Sequence, residues 1–213
     1  MNNQTLTFLG RDSGFGEKNN SAYIESESEL ILIDCGFTVF EQVKNKFDLS
    51  KYKEIKVIIT HLHNDHAGSL SQLILYAYFV LNKKIIVLSK CEKIKEYLEI
   101  TGTPETAYEL REDIDFIKTE HTKYLDAYGF KINLNGKNIV YTGDTNTIEP
   151  FMPYIQECDE LYIDVSRFGG AHIKIDDIVN TLRNFKQKGK QIYLMHIDDK
   201  EYIRKATKGE FNM

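Results

Sequence analysis

The chain has 213 residues, of which 42% are hydrophobic and 28% are charged, the composition of an ordinary soluble globular protein. The formal net charge is -5 and no segment concentrates lysine and arginine, so tight binding to long nucleic acid is not expected. The length suits one domain with a sizeable core, and we expect residues 1–213 to form a single domain.

The three cysteines, Cys35, Cys91 and Cys158, are far apart and form no Cys-x-x-Cys pair, which predicts reduced thiols. Residues 1–5 carry no signal pattern, and the longest apolar run, residues 73–81, is too short to span a bilayer. We therefore predict a cytoplasmic protein without membrane contact.

Short apolar or alternating segments predict strands, and apolar residues at helical spacing predict helices. In chain order these are strands 5–9, 21–25 and 30–34, helix 39–47, strand 57–59, helix 70–81, strand 84–88, helix 91–100, strand 114–117, two strands joined by the turn Asn135-Gly136, helix 148–158, strand 160–165, helix 175–185 and strand 191–195. Residues 106–112 are ambiguous. Helix 70–81 is almost wholly apolar, so we expect it to be buried against a sheet.

One loop of the chain concentrates metal-ligand residue types. The apolar strand 57–59 runs into a polar loop that carries His61, His63, Asp65 and His66, and parallel sheets place their sites beyond such strand ends. In an extended segment His61 and His63 point to the same side, whereas Asp65 and His66 follow once the chain has begun to turn. The loop could therefore serve two metal ions.

The pattern His61-x-His63-x-Asp65-His66 resembles the signature of the metallo-β-lactamase superfamily. The resemblance implies an α/β fold, a four-layer αββα sandwich of two mixed β-sheets flanked by helices, with a one- or two-metal site at one rim. Residues 1–213 would then be a single hydrolase domain of this fold. The motif is specific to the superfamily and not to a reaction.

The resemblance extends to later segments. His121, followed by Tyr128-Gly129, a hairpin and Thr142-Gly143-Asp144, resembles the third and fourth metal motifs, and His196 follows the last strand as the final ligand does. The implied ligands are His61, His63 and His121 on one metal ion, Asp65, His66 and His196 on the other, and Asp144 between them. Nitrogen-rich ligation suits two zinc ions, with manganese or iron as alternatives. By the same resemblance, Asp34 would support the metal loop by hydrogen bonding without binding metal.

His172 stands outside this ligand set. In the branch that contains the tRNA 3′-processing nuclease and small phosphodiesterases, a histidine at this place contacts the scissile phosphate. His172 matches it, although Lys174 stands where the branch has Ser or Thr, and the alternative is a capping or surface histidine. Asp164, on the preceding strand, either orients His172 or is structural.

The loop after the first strand also resembles that branch in Phe8-Leu9-Gly10, but Arg11 replaces a small residue. Arg11 either meets an anionic substrate or is a solvated surface arginine.

The implied chemistry is hydrolysis by a metal-bridging hydroxide, with Asp65 organising the water and His172 donating a hydrogen bond or proton. We predict a dinuclear phosphodiesterase that hydrolyses a small phosphodiester such as a cyclic nucleotide. Phage members of the branch degrade cyclic-nucleotide signals. The stretch between His121 and Asp144 is too short for the clamp of the tRNA-processing enzymes. A carboxyl-ester, lactone or thioester hydrolase and a non-catalytic metal sensor are the alternatives. The branch also implies a homodimer with a small anionic substrate.

Overall fold

The computed structural model describes residues 4–213 in two compact units. The N-terminal unit comprises the chain up to Gly10 together with Gly14–Asp113, and the C-terminal unit comprises Arg11–Ser13 and Ile114–Met213. Met1, Asn2 and Asn3, part of the segment in which we found no signal pattern, lie outside the described residues.

The N-terminal unit contains a six-stranded mixed sheet whose strands lie side by side in chain order. The first three strands pair antiparallel and the remaining pairs are parallel. The strands are β1 (Thr7–Gly10), β2 (Ser21–Glu25), β3 (Glu29–Ile33), β4 (Glu54–Ile58), β5 (Ile85–Leu88) and β6 (Tyr108–Arg111). The helices are α1 (Val39–Lys46), α2 (Asn64–Ala67), α3 (Leu70–Leu81) and α4 (Ile94–Ile100).

The C-terminal unit contains a five-stranded mixed sheet in the order β11-β10-β9-β8-β7. The neighbours β9, β10 and β11 are parallel, and the other pairs are antiparallel. The strands are β7 (Asp115–Lys118), β8 (Tyr128–Leu134), β9 (Lys137–Tyr141), β10 (Glu160–Asp164) and β11 (Gln191–Met195). The helices are α5 (Met152–Ile155), α6 (Ile175–Gln187) and α7 (Lys200–Thr207).

Alternation along β10 explains how this sheet separates its core from its polar residues. Leu161 and Ile163 belong to one apolar cluster with Ile178 and Leu182 of α6. Because successive strand residues point to opposite faces, Asp164 lies on the other face, at the carboxyl end of the strand. The core on one side thus fixes the position of a buried carboxylate on the other.

The predicted fold class, two mixed β-sheets flanked by helices, is confirmed. The predicted hairpin is also present, because Asn135 and Gly136 adopt φ values of 53° and 80°, as a tight two-residue turn requires. The ambiguous residues 106–112 contain a short 3-10 turn and β6. No helix among residues 4–213 combines the length and the apolar character needed to cross a membrane.

Two of the predicted helices differ from the sequence expectation, and α2 and α7 were not predicted. The segment 148–158 forms a 3-10 turn, Glu149–Phe151, followed by the single-turn helix α5, and Pro150 and Pro153 account for the break because proline lacks the backbone N–H. Helix α3 has the predicted bounds, but its last turn is not buried: Phe79 is 71% exposed and Val80 is 62% exposed.

Candidate metal centre

In the N-terminal unit, β3 and β4 end side by side and bring Asp34 next to the histidine loop. The strands are parallel with Ile33 opposite Ile58, so the residues that follow them meet at one edge of the sheet. Asp34 is fully buried and accepts hydrogen bonds from the backbone N–H of Thr60 (2.9 Å) and from Nδ1 of His66 (2.8 Å). Because Asp34 holds Nδ1 of His66, the Nε2 atom remains as the ligand atom.

The pKa of Asp34 is subject to opposing effects. Burial raises the pKa of Asp34 above its ordinary value, and the charge of His66 with the hydrogen bonds from His66 and Thr60 acts against that rise. The residue also has a φ of 60°, a left-handed conformation that aspartate tolerates better than most residues. Asp34 therefore lies within hydrogen-bonding distance of a predicted ligand, and its supporting role at a metal site stays a prediction.

The four predicted ligands of the N-terminal unit, His61, His63, Asp65 and His66, lie close to one another. The ring centroids of His61 and His66 are 4.1 Å apart, and Nε2 of His61 lies 3.0 Å from Nδ1 of His63. Nε2 of His66 lies 3.2 Å from Oδ2 of Asp65. Imidazole nitrogens and a carboxylate oxygen at such distances form a donor set suited to a divalent cation.

The loop after β3 passes close to the backbone of α2, which carries two of these predicted ligands. The sequence analysis did not predict this contact. A Cβ on Gly36 would lie 1.9 Å from the carbonyl oxygen of Asp65, so only glycine allows the loop after β3 to pass α2. The backbone N–H of Cys35 donates to the carbonyl of His66 (2.6 Å), which ties the loop to the helix. The one feature of the sequence that could have indicated this contact is Gly36, two residues after Asp34.

In the C-terminal unit, donor atoms of Asp144, Asp164, His172 and His196 all lie within 4.8 Å of one another, a cluster able to hold a metal ion. Nε2 of His196 lies 3.4 Å from Oδ2 of Asp144. His196 has a φ of 55°, unusual for a residue other than glycine and typical of functional positions. The predicted ligands Asp144 and His196 are thus adjacent and almost fully buried.

His121 is oriented toward the same carboxylate. Its Nδ1 atom donates a hydrogen bond to the backbone carbonyl of Ala171 (2.9 Å), and its Nε2 atom lies 3.8 Å from Oδ2 of Asp144. A hydrogen bond from the far ring nitrogen is the usual way a metal-binding histidine is held in position.

His172 is part of this cluster, does not cap α6 and is only partly exposed. The N-cap of α6 is Lys174, and the imidazole of His172 stacks on His196 with ring centroids 4.7 Å apart. Nδ1 of His172 donates to Oδ2 of the fully buried Asp164 (2.8 Å), and the same oxygen accepts from the backbone N–H of Thr145 (3.0 Å). Asp164 therefore orients His172, the first of the two roles left open for it.

The pKa of His172 reflects two opposing effects. Burial lowers this pKa, but the negative charge of Asp164, its hydrogen bond and the charge of Asp144 outweigh burial, and the net pKa lies above the ordinary value. The pair thus favours the imidazolium form of His172, which carries one proton on Nδ1 toward Asp164 and a second on Nε2.

Arg11 lies in the C-terminal unit, in a short segment that pairs with the chain after β11. The backbone N–H of Ile197 donates to the carbonyl of Arg11 (2.7 Å), and Nη1 of Arg11 donates to the carbonyl of Leu194 (2.7 Å). Burial lowers the pKa of Arg11 to about 10, against an opposite effect of nearby tyrosines. A solvated surface arginine does not describe this residue, and its contact with an anionic substrate stays a prediction.

Comparison with known protein families gives one match to the family described as "Anti-Pycsar protein Apyc1", over residues 4–101. The chain is 27% identical to the anti-Pycsar protein Apyc1 of Bacillus phage 010DV004, over 94% of this chain and 92% of that protein. It is 24% identical to the probable metallo-hydrolase YhfI of Bacillus subtilis (strain 168), over 97% of this chain and 93% of that protein.

Solved structures resemble the chain along most of its length. The crystal structure of the metallo-β-lactamase fold protein YhfI from Bacillus subtilis matches with a TM-score of 0.77 and 19% identity, covering 97% of this chain and 92% of that one. Human tRNase Z, short form, matches with a TM-score of 0.67 and 18% identity, covering 92% and 93% of the two chains. A diphosphatase from the PhnP family matches with a TM-score of 0.71 and 19% identity, covering 91% and 85%. These likenesses confirm the predicted fold.

Proposed function

We propose that this chain, a metal-dependent hydrolase of the metallo-β-lactamase superfamily, hydrolyses a small phosphodiester and that its substrate is a cyclic nucleotide. The observation that carries the proposal is the His172–Asp164 pair, whose donor atoms lie within 4.8 Å of those of the proposed ligands Asp144 and His196. A buried carboxylate that orients a histidine outside the ligand set is suited to proton donation, which cleavage of a phosphodiester needs at the leaving oxygen.

The names of the relatives agree with this substrate class. Solved structures with the same fold are named as a tRNase and a diphosphatase, and several sequence relatives are named as anti-Pycsar proteins. The resemblance of the sequence to a branch with phage enzymes for cyclic-nucleotide signals narrows the proposed phosphodiester to a cyclic nucleotide.

The proposed cofactor is a pair of divalent metal ions, zinc in the first place, with manganese or iron as alternatives. The donor set fits, because each unit supplies closely spaced imidazole nitrogens and carboxylate oxygens, which is the ligation that zinc prefers. When bound, the two ions would supply a water nucleophile at neutral pH and positive charge for the phosphate oxygens. The proposed ligands are His61, His63, Asp65, His66, His121, Asp144 and His196.

Two further side chains have proposed roles in the reaction. Asp65, half-buried beside His66, would accept a hydrogen bond from the attacking water and so orient it. His172 would donate the proton on Nε2 to the leaving oxygen, while Asp164 keeps the other ring nitrogen protonated and stabilises the imidazolium.

The test is hydrolysis of bis(4-nitrophenyl) phosphate and of cyclic nucleotides by the zinc- or manganese-loaded protein, with metal content assayed in parallel. We expect turnover that disappears on chelation. In His172→Ala we expect turnover to fall by about a hundredfold or more with metal content unchanged, because a positioned proton donor contributes that much. Lys174→Ala, an exposed position on the same loop, is the matched control and should keep full activity.

Other outcomes would contradict the proposal. Turnover of lactones or thioesters that is unchanged in His172→Ala would indicate the carboxyl-ester reaction. A fully metallated protein that hydrolyses none of these substrate classes would indicate the metal sensor. The homodimer and the cytoplasmic location stay predictions alongside this function.

A further inference from the structure

Phe168 lies on the same loop as His172, between β10 and α6, and its side chain is 73% exposed. A single exposed phenylalanine is common on protein surfaces and proves nothing alone. The informative features are the fixed backbone around Phe168 and its position relative to His172.

Hydrogen bonds close the loop at its base. The backbone N–H of Ser166 donates to the carbonyl of Ile173 (2.8 Å), and that of Ile175 donates to the carbonyl of Ser166 (2.9 Å). Phe168 and His172 therefore belong to one closed loop, and their Cα atoms are at most about 14 Å apart because four residues span no more when fully extended.

Further hydrogen bonds fix the loop on the Phe168 side. Oγ of Ser166 accepts from the backbone N–H groups of Phe168 (2.9 Å) and Gly169 (3.0 Å), and it donates to Asp198 (2.5 Å). The backbone N–H of Arg167 donates to the same carboxylate (2.9 Å). The aromatic ring is thus held out from a preorganised backbone, which lowers the entropic cost of binding a ligand to it.

The ring of Phe168 already has one cationic neighbour. The guanidinium of Arg167 lies 5.2 Å from the Phe168 ring centroid and 4.8 Å from that of Tyr202, and it donates to Asp199 (2.8 Å). Arg167 is therefore fixed between two rings by its ion pair and supports Phe168 from behind. Beside this contact the residue stays 73% exposed, so the flat apolar ring of Phe168 is largely open to solvent.

We propose that the exposed ring of Phe168 stacks against the nucleobase of the substrate whose phosphate is at His172. The inference rests on the proposed function and adds to it a residue that binds the base. Base–aromatic stacking needs only an exposed ring held at a fixed place, and a nucleotide carries its base one sugar away from its phosphate. Phe168 is thus a substrate-binding residue, with Arg167 as its positioning residue.

The other large exposed aromatic side chain in the described part of the C-terminal unit, Tyr124, is less suited to this role. It lies on the loop after His121, 78% exposed, and its backbone N–H makes a long hydrogen bond of 3.4 Å to Thr122. Its loop is also closed, by the hydrogen bond from the backbone N–H of Thr119 to the carbonyl of Ala127 (2.9 Å), but Tyr124 does not share a loop with His172 as Phe168 does.

The kinetic test compares two substrates that share a phosphodiester ring. They are adenosine 3′,5′-cyclic phosphate and methyl riboside 3′,5′-cyclic phosphate, which has no base. In Phe168→Ala we expect KM for the first to rise at least about fivefold with little change in kcat, since stacking of one base contributes this much binding. KM for the second should not change. Phe168→Tyr should restore the wild-type KM, whereas Phe168→Leu, which is apolar without a ring, should not.

A binding test needs no turnover. The chain contains no tryptophan, so Phe168→Trp introduces a single fluorescent reporter. We expect adenosine 5′-monophosphate to quench its emission and ribose 5-phosphate to leave it unchanged. Phe79→Trp is the matched control: Phe79 is 71% exposed, and it lies nine residues along α3, about 14 Å from Leu70 next to the metal loop. Its emission should respond to neither ligand.

The outcomes separate the two proposals. If the wild-type protein hydrolyses neither diester, the proposed function fails and the inference fails with it. If it hydrolyses the nucleotide but Phe168→Ala leaves KM unchanged, or alters both substrates equally, only the inference fails. Absence of quenching at position 168 by a nucleotide would also overturn it.

Discussion

Each unit contains one fully buried aspartate that holds a histidine through Nδ1. Asp34 pairs with His66 in the N-terminal unit and Asp164 with His172 in the C-terminal unit, both at 2.8 Å. The two pairs have the same chemistry and different surroundings. His66 is a predicted metal ligand, whereas His172 lies outside the ligand set, so the first aspartate should govern metal affinity and the second should govern turnover.

The residue-scale prediction concerns Asp34→Asn. Asparagine tolerates the φ of 60° and can still accept from Thr60, but it removes the negative charge that supports His66. We expect metal affinity to fall about 10- to 100-fold, as measured by competition with a chromogenic chelator. The matched control is Asp115→Asn, because Asp115 is an exposed partner of Lys131. Equal affinities in the two variants would show that Asp34 does not support the metal site.

At the scale of secondary structure, aromatic rings cross four neighbouring strands of the C-terminal sheet. The rings of Phe130 and Tyr141 stack at 5.1 Å, and those of Tyr162 and Tyr193 stack at 4.8 Å. The hydroxyl of Tyr162 donates to Glu160 (2.6 Å), a fully buried carboxylate that also accepts from Lys137. This aromatic row lies on the face of β10 that also carries Asp164, so it stabilises the strand that positions the His172 partner.

The element-scale prediction compares Tyr162→Phe with Tyr193→Phe. The first removes a hydrogen bond to a buried carboxylate, and we expect it to lower the free energy of unfolding by about 1–3 kcal/mol. The second removes a bond to the exposed Gln191 and should cost about 1 kcal/mol or less. Urea unfolding of both variants measures the difference. Equal losses would mean that Glu160 does not depend on the Tyr162 hydroxyl.

At the scale of the whole molecule, the question is whether two compact units make one domain. The expectation of a single domain over residues 1–213 stays a prediction, since the described residues divide into an N-terminal and a C-terminal unit. Each unit has its own mixed sheet and its own set of predicted metal ligands.

For this scale we predict one cooperative unfolding transition of the metal-loaded protein. A single domain whose proposed ligands come from both units should lose both sheets together, so the calorimetric enthalpy should equal the van't Hoff enthalpy. Differential scanning calorimetry measures both. Two separate transitions would contradict the single-domain prediction without affecting the fold of either unit.

The sequence by itself predicted the described strands other than β6, the hairpin turn and helices α1, α3, α4 and α6, because these depend on local periodicity and turn chemistry. It left β6 ambiguous and predicted neither α2 nor α7. It also predicted His61, His63, Asp65 and His66 as metal ligands, since they are close together in the chain, and that assignment stays a prediction. It did not determine the end of α3, where an apolar pattern predicted burial and Phe79 is exposed. A local apolar pattern does not specify at which residue a helix extends beyond the elements that it packs against.

Only the tertiary structure decided contacts between residues that are distant in sequence. How strands align and which loops pack together decides several such contacts. These are the Asp34–His66 and Asp164–His172 pairs, the close approach of Gly36 to Asp65, and the hydrogen bond of Arg11 to Leu194. The alternation of β10 permitted Asp164 to face either the core or the site, and packing of Leu161 and Ile163 against α6 selected the site. A strand face is selected by burial of the larger apolar surface. The sequence shows which residues are apolar, but it does not show which residues they pack against.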